Sequence, residues 1–226
     1  MKQILVMMAV VVLVGCASTP TNPNWVSDAS DSNNVKIERA IRKELKKPKG
    51  EIAKADYEKV TTLSLGLNQL TDVKGLEKLT QLTSLHLNGN QLTDVKELEK
   101  LTQLEQLGLG FNKLTDVKSL ENLTQLTRLF LSGNQLTDVK GLEKLTKLKS
   151  LHLYDNKLTD VKGLERLTQL ISLHLNGNQL TDVKELEKLT QLEMLFLANN
   201  PDLTNAQIDQ LQKALPKCKI YSNPTK

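Results

Sequence analysis

The sequence predicts an α/β solenoid: a curved stack of coils with a parallel β-sheet on its concave face, 3₁₀ or irregular turns on its convex face, and a helical cap at each end. Two observations lead to this prediction. An asparagine recurs every 22 residues, and leucines precede it at a fixed spacing. A constant period of this length is typical of solenoids, whose units stack to bury their apolar residues. The recurring residues are Asn68, Asn90, Asn112, Asn134, Asn156, Asn178 and Asn200.

The first half of each unit is predicted to be a short strand. Leu85 and Leu87 alternate with one residue between them, so both side chains point to the same side of an extended segment. Stacking buries these leucines in a parallel sheet whose strands lie about 4.8 Å apart. Asn90 follows at the bend, where its side chain is expected to bond backbone groups of its own coil and of the next one. We therefore predict a structural ladder of asparagines.

The second half of each unit is predicted to be 3₁₀-like or irregular. Its apolar residues fall at a strict spacing of three, as in Val95, Leu98, Leu101 and Leu104. An α-helix would carry such residues off one face by about 60° per step, whereas a turn of three residues keeps them aligned.

Both ends of the repeats, which span residues 60–203, are predicted to be capped by helices. Residues 34–59 form the N-terminal cap, in which a helix with Ile37 and Ile41 on its buried face ends before Pro48. Residues 204–226 form the C-terminal cap, in which a helix begins with Thr204 or Asn205 as its N-cap. An eighth strand follows, predicted from the leucine and asparagine slots that Leu215, Cys218, Ile220 and Asn223 fill 23 residues after the previous set.

Seven units follow the pattern LxxLxLxxNxL with almost no gaps, and the first six continue with a segment close to TDVKxLEKLTQ. In this pattern residues 60–223 resemble the leucine-rich repeat family, in its 22-residue bacterial, internalin-type class. The resemblance implies a non-catalytic domain that binds a protein partner, with a host-directed adhesin as one version.

Residues 1–15 are predicted to be a lipoprotein signal peptide. Eleven apolar residues follow Lys2 closely, too few to span a bilayer, which takes about 20. The segment LVGC at 13–16 resembles a bacterial lipobox, which implies cleavage before Cys16 and a lipid on its sulfur. Ala17 then favours the outer membrane, as in lipoproteins of enteric type. An ordinary signal peptide with a cysteine nearby is the alternative.

Residues 16–33 are predicted to be the lipidated cysteine and a flexible tether, because they are rich in Ser, Thr, Pro, Asn and Asp. Trp25 either belongs to this tether or docks on the first cap, and both alternatives remain open. With Cys16 lipidated, Cys218 has no partner for an intrachain disulfide. It occupies a leucine slot and is predicted to be a buried core residue.

Positive charge is concentrated before the repeats. Residues 34–59 hold nine Lys or Arg against five Asp or Glu, whereas residues 60–203 hold 16 against 18. Lys43, Lys46, Lys47 and Lys49 form either a solvated helix face or a contact with an anionic membrane or polysaccharide. The near-neutral repeats lack the charge pattern of a nucleic-acid binder, so no nucleic-acid partner is predicted.

The outward strand positions vary, although the TDVK segment is intact in the first six repeats. The position between the two strand leucines holds all three histidines and two of the three phenylalanines of the protein. An aliphatic core has no use for them, so we predict a binding surface across the concave face. The predicted ligand-binding residues are His86, Phe111, Arg128, Phe130, His152, Tyr154, His174, Met194 and Phe196.

Duplication and drift are alternative origins of this surface. Residues 84–105 and 172–193 are identical, so His86 and His174 can be copies left by duplication, and outward positions also tolerate drift. His152 and His174 are expected on neighbouring strands, about 5 Å apart. Two histidines without a further ligand are a weak zinc signal, so neither a metal nor another cofactor is predicted.

Catalysis is not predicted, because the sequence has no G-x-S-x-G, no glycine-rich phosphate loop and no H-E-x-x-H. The predicted function is that of a monomeric lipoprotein, anchored in the bacterial envelope, that binds a protein through its concave face. The alternatives are a carbohydrate or peptidoglycan binder and a structural spacer without a specific ligand.

Overall fold

The computed structural model describes residues 31–223, which form one stack of coils. Eight parallel strands make a single sheet in chain order, so the predicted parallel stack is confirmed. The strands are β1 (Thr62–Ser64), β2 (Ser84–His86), β3 (Gln106–Gly108), β4 (Arg128–Phe130), β5 (Ser150–His152), β6 (Ser172–His174), β7 (Met194–Phe196) and β8 (Lys219–Tyr221). The predicted signal peptide, Cys16 and Trp25 lie outside the described residues.

The register of the sheet keeps equivalent residues side by side. From β1 to β7 each residue pairs with the one 22 positions later, as in Leu85 with Leu107 and Leu107 with Leu129. These leucines are fully buried and belong to one continuous core. Outward residues of successive repeats therefore form straight columns across the sheet.

The turn side is built from consecutive three-residue turns. The backbone N–H of Leu98 donates to the Val95 carbonyl at 3.0 Å, and the N–H of Leu101 donates to the Leu98 carbonyl at 2.9 Å. The apolar spacing of three thus coincides with the hydrogen-bond spacing of a 3₁₀ helix. The short 3₁₀ helices are Leu76–Lys78, Lys96–Lys100, Lys118–Leu120, Leu164–Arg166 and Lys184–Lys188.

The asparagines tie each coil to the one before it. Asn134 Oδ1 accepts from the backbone N–H of Leu114 at 3.0 Å, and its Nδ2 donates to the carbonyls of Leu109 and Leu131 at 3.0 and 2.9 Å. The expected bonds to the next coil are thus corrected to bonds with the preceding coil. Asn68 lies in the first coil, so its Nδ2 donates only locally, to the Gly66 carbonyl at 2.8 Å. The same pattern as in Asn134 recurs at Asn90, Asn112, Asn156, Asn178 and Asn200.

Helix α1 (Ser32–Glu44) covers the first coil, and a short helix α2 (Lys54–Tyr57) leads into β1. The Asp31 side chain caps α1 by accepting from the backbone N–H of Asn33 at 2.8 Å. Buried Asn33 in turn donates to the Asp72 carboxylate at 2.8 Å, which fixes the helix start on the first repeat. Residues 32 and 33 therefore belong to the helix rather than to the predicted tether.

Helix α3 (Asn205–Ala214) follows strand β7, with Thr204 as its N-cap. It changes the repeat length, because β8 pairs with β7 at a spacing of 25 residues, Ile220 lying beside Leu195. This corrects the predicted 23-residue register. Cys218 is buried before the strand, where burial raises the pKa of its thiol. Asn223 lies outside the ladder: it is exposed, and its Nδ2 donates to Asn199 Oδ1 at 2.6 Å.

Candidate functional site

One outward column forms a continuous row of aromatic rings, stacked from His152 onwards, with Phe130 tilted by 56° against His152. In-register pairing places Phe130, His152, His174 and Phe196 on the successive strands β4 to β7. Ring centroids lie 4.8 Å apart for the first pair, 4.0 Å for the two histidines and 4.2 Å for the last pair. The histidine rings are nearly parallel, at 17°. The column that the sequence singles out is therefore a physically connected surface.

Tyr221 on β8 extends this row. Its ring stacks on Phe196 at 4.5 Å and 3°, and Lys219 Nζ lies 4.8 Å from the centre of the Tyr221 ring. We call Phe130, His152, His174, Phe196 and Tyr221 the ring file. Sequence reasoning missed Tyr221, because a fixed spacing places a different residue in this column. The outward-inward alternation of Lys219, Ile220 and Tyr221 is the signal that identifies it.

A serine two residues earlier holds each histidine. Ser150 Oγ lies 3.2 Å from His152 Nε2, and Ser172 Oγ lies 3.1 Å from His174 Nε2. Residues two apart on a strand point to the same face, which places each hydroxyl beside its ring. The same pair, at 3.3 Å, occurs between Ser84 and His86. The serines therefore help to fix the orientation of all three rings.

The stacked histidines are neutral at pH 7. Burial, and secondarily the neighbouring His174, lowers the pKa of His152 to about 4. Burial also lowers the pKa of His174. Face-to-face stacking aligns their rings instead of converging their nitrogens on one point, as a shared metal would require. Among residues 31–223, no group of three or more His, Cys, Asp or Glu is arranged to hold a metal ion.

Gly108 interrupts the column between His86 and Phe130. It pairs with both across the sheet but has no side chain, and the Asn88 side chain occupies the adjacent space. A Cβ atom at Gly108 would lie 2.5 Å from Asn88 Nδ2. Asn88 Oδ1 accepts from the backbone N–H of Gly110 at 2.8 Å, which holds the amide there. His86 is therefore separated from the ring file by a notch.

A second pair of rings overhangs this notch. Phe111 meets Tyr154 edge-on, with centroids 6.2 Å apart, although the two residues are two coils apart in the stack. Phe111 is 56% exposed and adopts a left-handed backbone conformation, with φ of 56°. Its column alternates larger residues with glycines: Leu67, Gly89, Phe111, Gly133, Asp155, Gly177 and Asn199, all with positive φ.

These rings and the notch enclose a depression of about 340 Å³ on the strand face. It joins residues that are far apart in sequence, including three predicted site residues that the ring file does not contain. The residues that line it are His86, Asn88, Gly110, Phe111, Phe130, Ser132, His152 and Tyr154. Sequence reasoning missed Asn88 and Ser132, because both are small polar residues without an evident pattern.

The two remaining predicted residues lie towards the starts of the strands. Arg128 is exposed and lines a second depression, of about 360 Å³, together with Lys149 and Ile171. Met194 begins β7 and is 40% exposed. The structure thus places all nine predicted residues on one face but divides them among the ring file, the notch and this strand-start region.

The basic residues of the N-terminal cap differ in the contacts that they make. Lys47 Nζ forms an ion pair with Asp56 at 2.7 Å, and this contact contributes most to lowering the pKa of Asp56 to about 2. Lys43 and Lys46 are exposed and line a groove of about 590 Å³ along α1 with Arg39 and Val35. Within the described part of the chain, no helix is long and apolar enough to cross a membrane.

A parallel sheet of leucine coils closed by a ladder of asparagines defines a repeat protein of the solenoid class. The family described as "Leucine Rich repeats (2 copies)" matches residues 58–100, 80–122, 124–166 and 168–213. The chain therefore belongs to the leucine-rich repeat family. Folds of this kind typically act as non-catalytic interaction modules.

Two solved structures from Listeria monocytogenes strain 4b F2365 are similar to this chain. The internalin inlF is 29% identical, with a TM-score of 0.79 over 88% of this chain and 62% of inlF. The internalin C2, inlC2, is 24% identical, with a TM-score of 0.67 over 83% of this chain and 92% of inlC2, a likeness that shows the fold alone. The chain thus spans 62% of the length of inlF. A comparison with curated proteins found no match.

Proposed function

We propose that the strand face is the concave docking surface for a protein partner. The observation that carries this proposal is the ring file, in which four rings stack across β5 to β8 and Phe130 on β4 packs against them at a tilt of 56°. The core does not need these rings, because Leu129, Leu151 and Leu173 beside them are already fully buried. Half-buried rings with a polar edge are frequent anchors of protein interfaces.

The size of the ring file suits a protein segment. Five strands about 4.8 Å apart give a row of rings roughly 20 Å long, which matches a short strand or nearly four helical turns of a partner. Phe111 and Met194, at 56% and 40% exposure, widen the apolar surface on both sides. Large exposed apolar patches on a folded protein commonly mark sites of interaction with another molecule.

The same proposal includes a lipid anchor at Cys16 and an address on the bacterial cell envelope, in the outer membrane. The lipobox-like LVGC segment at 13–16 and the likeness to bacterial internalins support this part. The parent chain should incorporate radiolabelled palmitate in the producing cells, and the Cys16→Ser chain should not. If the parent chain incorporates no label, the anchor proposal is wrong. Protease treatment of intact cells then tests whether the repeats face outward.

Affinity capture tests the docking surface. A chain that begins at Ala17 lacks the predicted signal peptide and lipid, and it would be used to capture proteins from envelope extract. The double variant Phe196→Ala with Tyr221→Ala removes two rings at one end of the ring file, outside the depression. Its matched control is Lys100→Ala with Lys188→Ala, two exposed residues of the turn side.

The proposal requires a protein that the parent chain and the control retain and the ring-file variant loses, at unchanged unfolding midpoint. Equal capture by all three chains would exclude the ring file as the binding surface. Glycan arrays probed with the same chains test the carbohydrate alternative. Absence of any specific protein or glycan would favour a structural spacer.

A further inference from the structure

The groove of about 590 Å³ along helix α1 combines apolar surface with positive charge. Val35 and Pro48 line it together with four Arg or Lys residues and one Glu. Long basic side chains cover apolar surface with their stems and keep their charged ends in water. The groove therefore has an apolar interior and a positively charged rim, which suits a ligand that is both aromatic and acidic.

Most of the positive charge on this rim has no ion-pair partner in the described part of the chain. Arg42 is engaged, because its Nε lies 2.6 Å from Glu38 Oε1. Arg39, Lys43 and Lys46 are exposed and form no ion pair among residues 31–223. Arg39 and Lys43 are four residues apart, so they lie side by side on α1. The rim thus offers two adjacent positive charges to an acidic group.

The segment that leads into α1 has the complementary chemistry. Residues 17–31 contain no Lys or Arg, two acidic residues, Asp28 and Asp31, and the one tryptophan of the protein, Trp25. Tryptophan is the aromatic side chain that cations prefer. Asp31 already caps α1 by accepting from the backbone N–H of Asn33. Asp28 is therefore the acidic group of this segment that is suited to the rim.

The segment is long enough to reach the groove. Asp31 precedes Val35, the first residue that lines the groove, by four residues. Lys43 lies about 12 Å beyond Val35 along the helix. Trp25 precedes Asp31 by six residues, which span up to about 20 Å when extended. A chain that turns back at Asp31 can therefore place Trp25 over the groove between Val35 and Lys43.

We infer that residues 25–28 of this chain bind in the groove along α1, with the Trp25 indole against its apolar interior and the Asp28 carboxylate beside Arg39 and Lys43. The indole covers the apolar stems and faces the cationic ends, and the carboxylate pairs with charges that have no other described partner. Because the segment is joined covalently to α1, its effective concentration at the groove exceeds that of any ligand from solution.

This contact shortens the tether of the proposed lipid anchor. Trp25 follows Cys16 by nine residues, which span at most about 30 Å, whereas Asp31 follows Cys16 by 15 residues, or about 50 Å. The bound segment therefore holds the N-terminal cap closer to a membrane in which Cys16 is anchored. The contact itself requires neither the lipid nor the docking surface on the strand face.

Trp25 is the only tryptophan of the protein, so its fluorescence tests the inference directly. The chain that begins at Ala17 retains every described residue and the whole segment. Its emission and its quenching by acrylamide would be compared with those of a free peptide of residues 17–30. We expect emission at shorter wavelength and a quenching constant lower by about half, because an indole in an open groove exposes one face. Added NaCl should move both values towards those of the peptide, because salt screens exposed charges.

Charge reversal on the rim locates the contact. Arg39→Glu with Lys43→Glu should give the emission and the quenching constant of the free peptide. The matched control is Lys100→Glu with Lys188→Glu, which makes the same change of net charge at two exposed residues of the turn side. It should leave both values unchanged. Unfolding midpoints, measured by circular dichroism, show whether each variant is folded.

A substitution in the segment tests the same contact without altering the cap. Asp28→Lys lies outside α1 and should also return the fluorescence of Trp25 to that of the peptide. Combining Asp28→Lys with Arg39→Glu and Lys43→Glu exchanges the charges of the two sides. The combined variant should recover part of the shielding that either change alone removes, because the interacting charges are again opposite.

Four results would overturn the inference. The first is an indole in the parent chain that is as exposed as in the peptide. The second is shielding that the rim variant leaves unchanged, which would place Trp25 elsewhere. The third is shielding that falls on dilution, which would mean that the segment binds a second copy. The fourth is an exposed indole that becomes shielded only with phosphatidylglycerol vesicles, which would assign the groove to an anionic lipid surface.

Discussion

The ring of Phe111 meets the ring of Tyr154 edge-on across an intervening coil, with centroids 6.2 Å apart and planes at 66°. The contact is possible because the residue between them is Gly133, where a Cβ atom would lie 2.5 Å from Phe111 Cδ1. Phe111 keeps this position in a left-handed conformation that disfavours every residue with a Cβ. The same positive φ recurs along the whole column from Leu67 to Asn199, so the repeat imposes this conformation and Phe111 carries its cost.

The order of stability among substitutions at Phe111 should reveal this strain. Phe111→Gly should be more stable than Phe111→Ala by about 1 kcal/mol, because glycine adopts positive φ without cost. Phe130 is the control, since it lies within β4, where alanine should be better than glycine by about 0.5 to 1 kcal/mol. Denaturant unfolding measures both pairs. If alanine is also the better residue at position 111, the strain does not exist in solution.

Asn134, which belongs to the ladder, should contribute far more to the stability of the fold than Asn223, which does not. Asn134→Ala leaves the buried Leu114 N–H without its partner, so it should cost about 1 to 3 kcal/mol. The Leu109 and Leu131 carbonyls each lose one bond but keep the one they accept from Asn112 and Asn156. Asn223→Ala removes only an exposed contact and should change the free energy of unfolding by less than about 0.5 kcal/mol. Equal costs would place Asn223 in the ladder after all.

Two glycines with similar backbone angles should respond differently to alanine. Gly141 and Gly163 have φ of 95° and 98°. A Cβ atom at Gly141 would lie 2.7 Å from Lys118 Cα, which is backbone, whereas at Gly163 the nearest atom is Glu143 Cβ at 3.6 Å. Gly163→Ala should therefore cost about 1 kcal/mol and Gly141→Ala about 2 to 3 kcal/mol. Thermal unfolding that ranks them in the opposite order would contradict the packing of these turns.

Acid should weaken the ring file. The pKa of His152 falls from about 6.5 to about 4 on folding, and that of His174 also falls. Between these values the unfolded chain binds more protons than the folded one, so stability is complete above pH 6.5 and declines as the pH falls towards 4. We expect a loss on the order of 1 to 2 kcal/mol, after allowing for the partial exposure of the rings.

A variant without these histidines isolates their share of the acid effect. His152→Phe with His174→Phe keeps two flat rings in the column but removes both titrating groups. The stability difference between the parent chain and this variant should change steadily between pH 6.5 and 4. A difference that does not depend on pH would mean that the two histidines titrate alike in the folded and unfolded chains.

The stack and its inward leucines follow directly from the sequence, because a constant period fixes both the strand positions and the register. Prediction fails where the period breaks. Helix α3 and the turn before Cys218 consume a different number of residues, so counting from Asn200 places Asn223 in the ladder and leaves Tyr221 unnoticed. Likewise, the start of α1 depends on Asp31 and on the contact of Asn33 with the first repeat, which no local pattern encodes.

The candidate site is only half visible in the sequence. Columns of residues can be predicted, since in-register strands turn a 22-residue spacing into neighbours. The depression cannot be predicted in this way, because it depends on Gly110, which lines it without a side chain, and on the reach of Phe111 over a neighbouring coil.

Each ladder asparagine reaches back to the coil before it, as Asn90 does to Leu70 and Asn112 does to Leu92. The asparagine bonds of successive coils therefore form in a fixed order during synthesis. A chain emerging from the ribosome, N-terminus first, cannot close a coil until the next one has been synthesised. The most recently synthesised coil therefore always lacks its asparagine bonds. Those bonds form only after one further repeat has been synthesised.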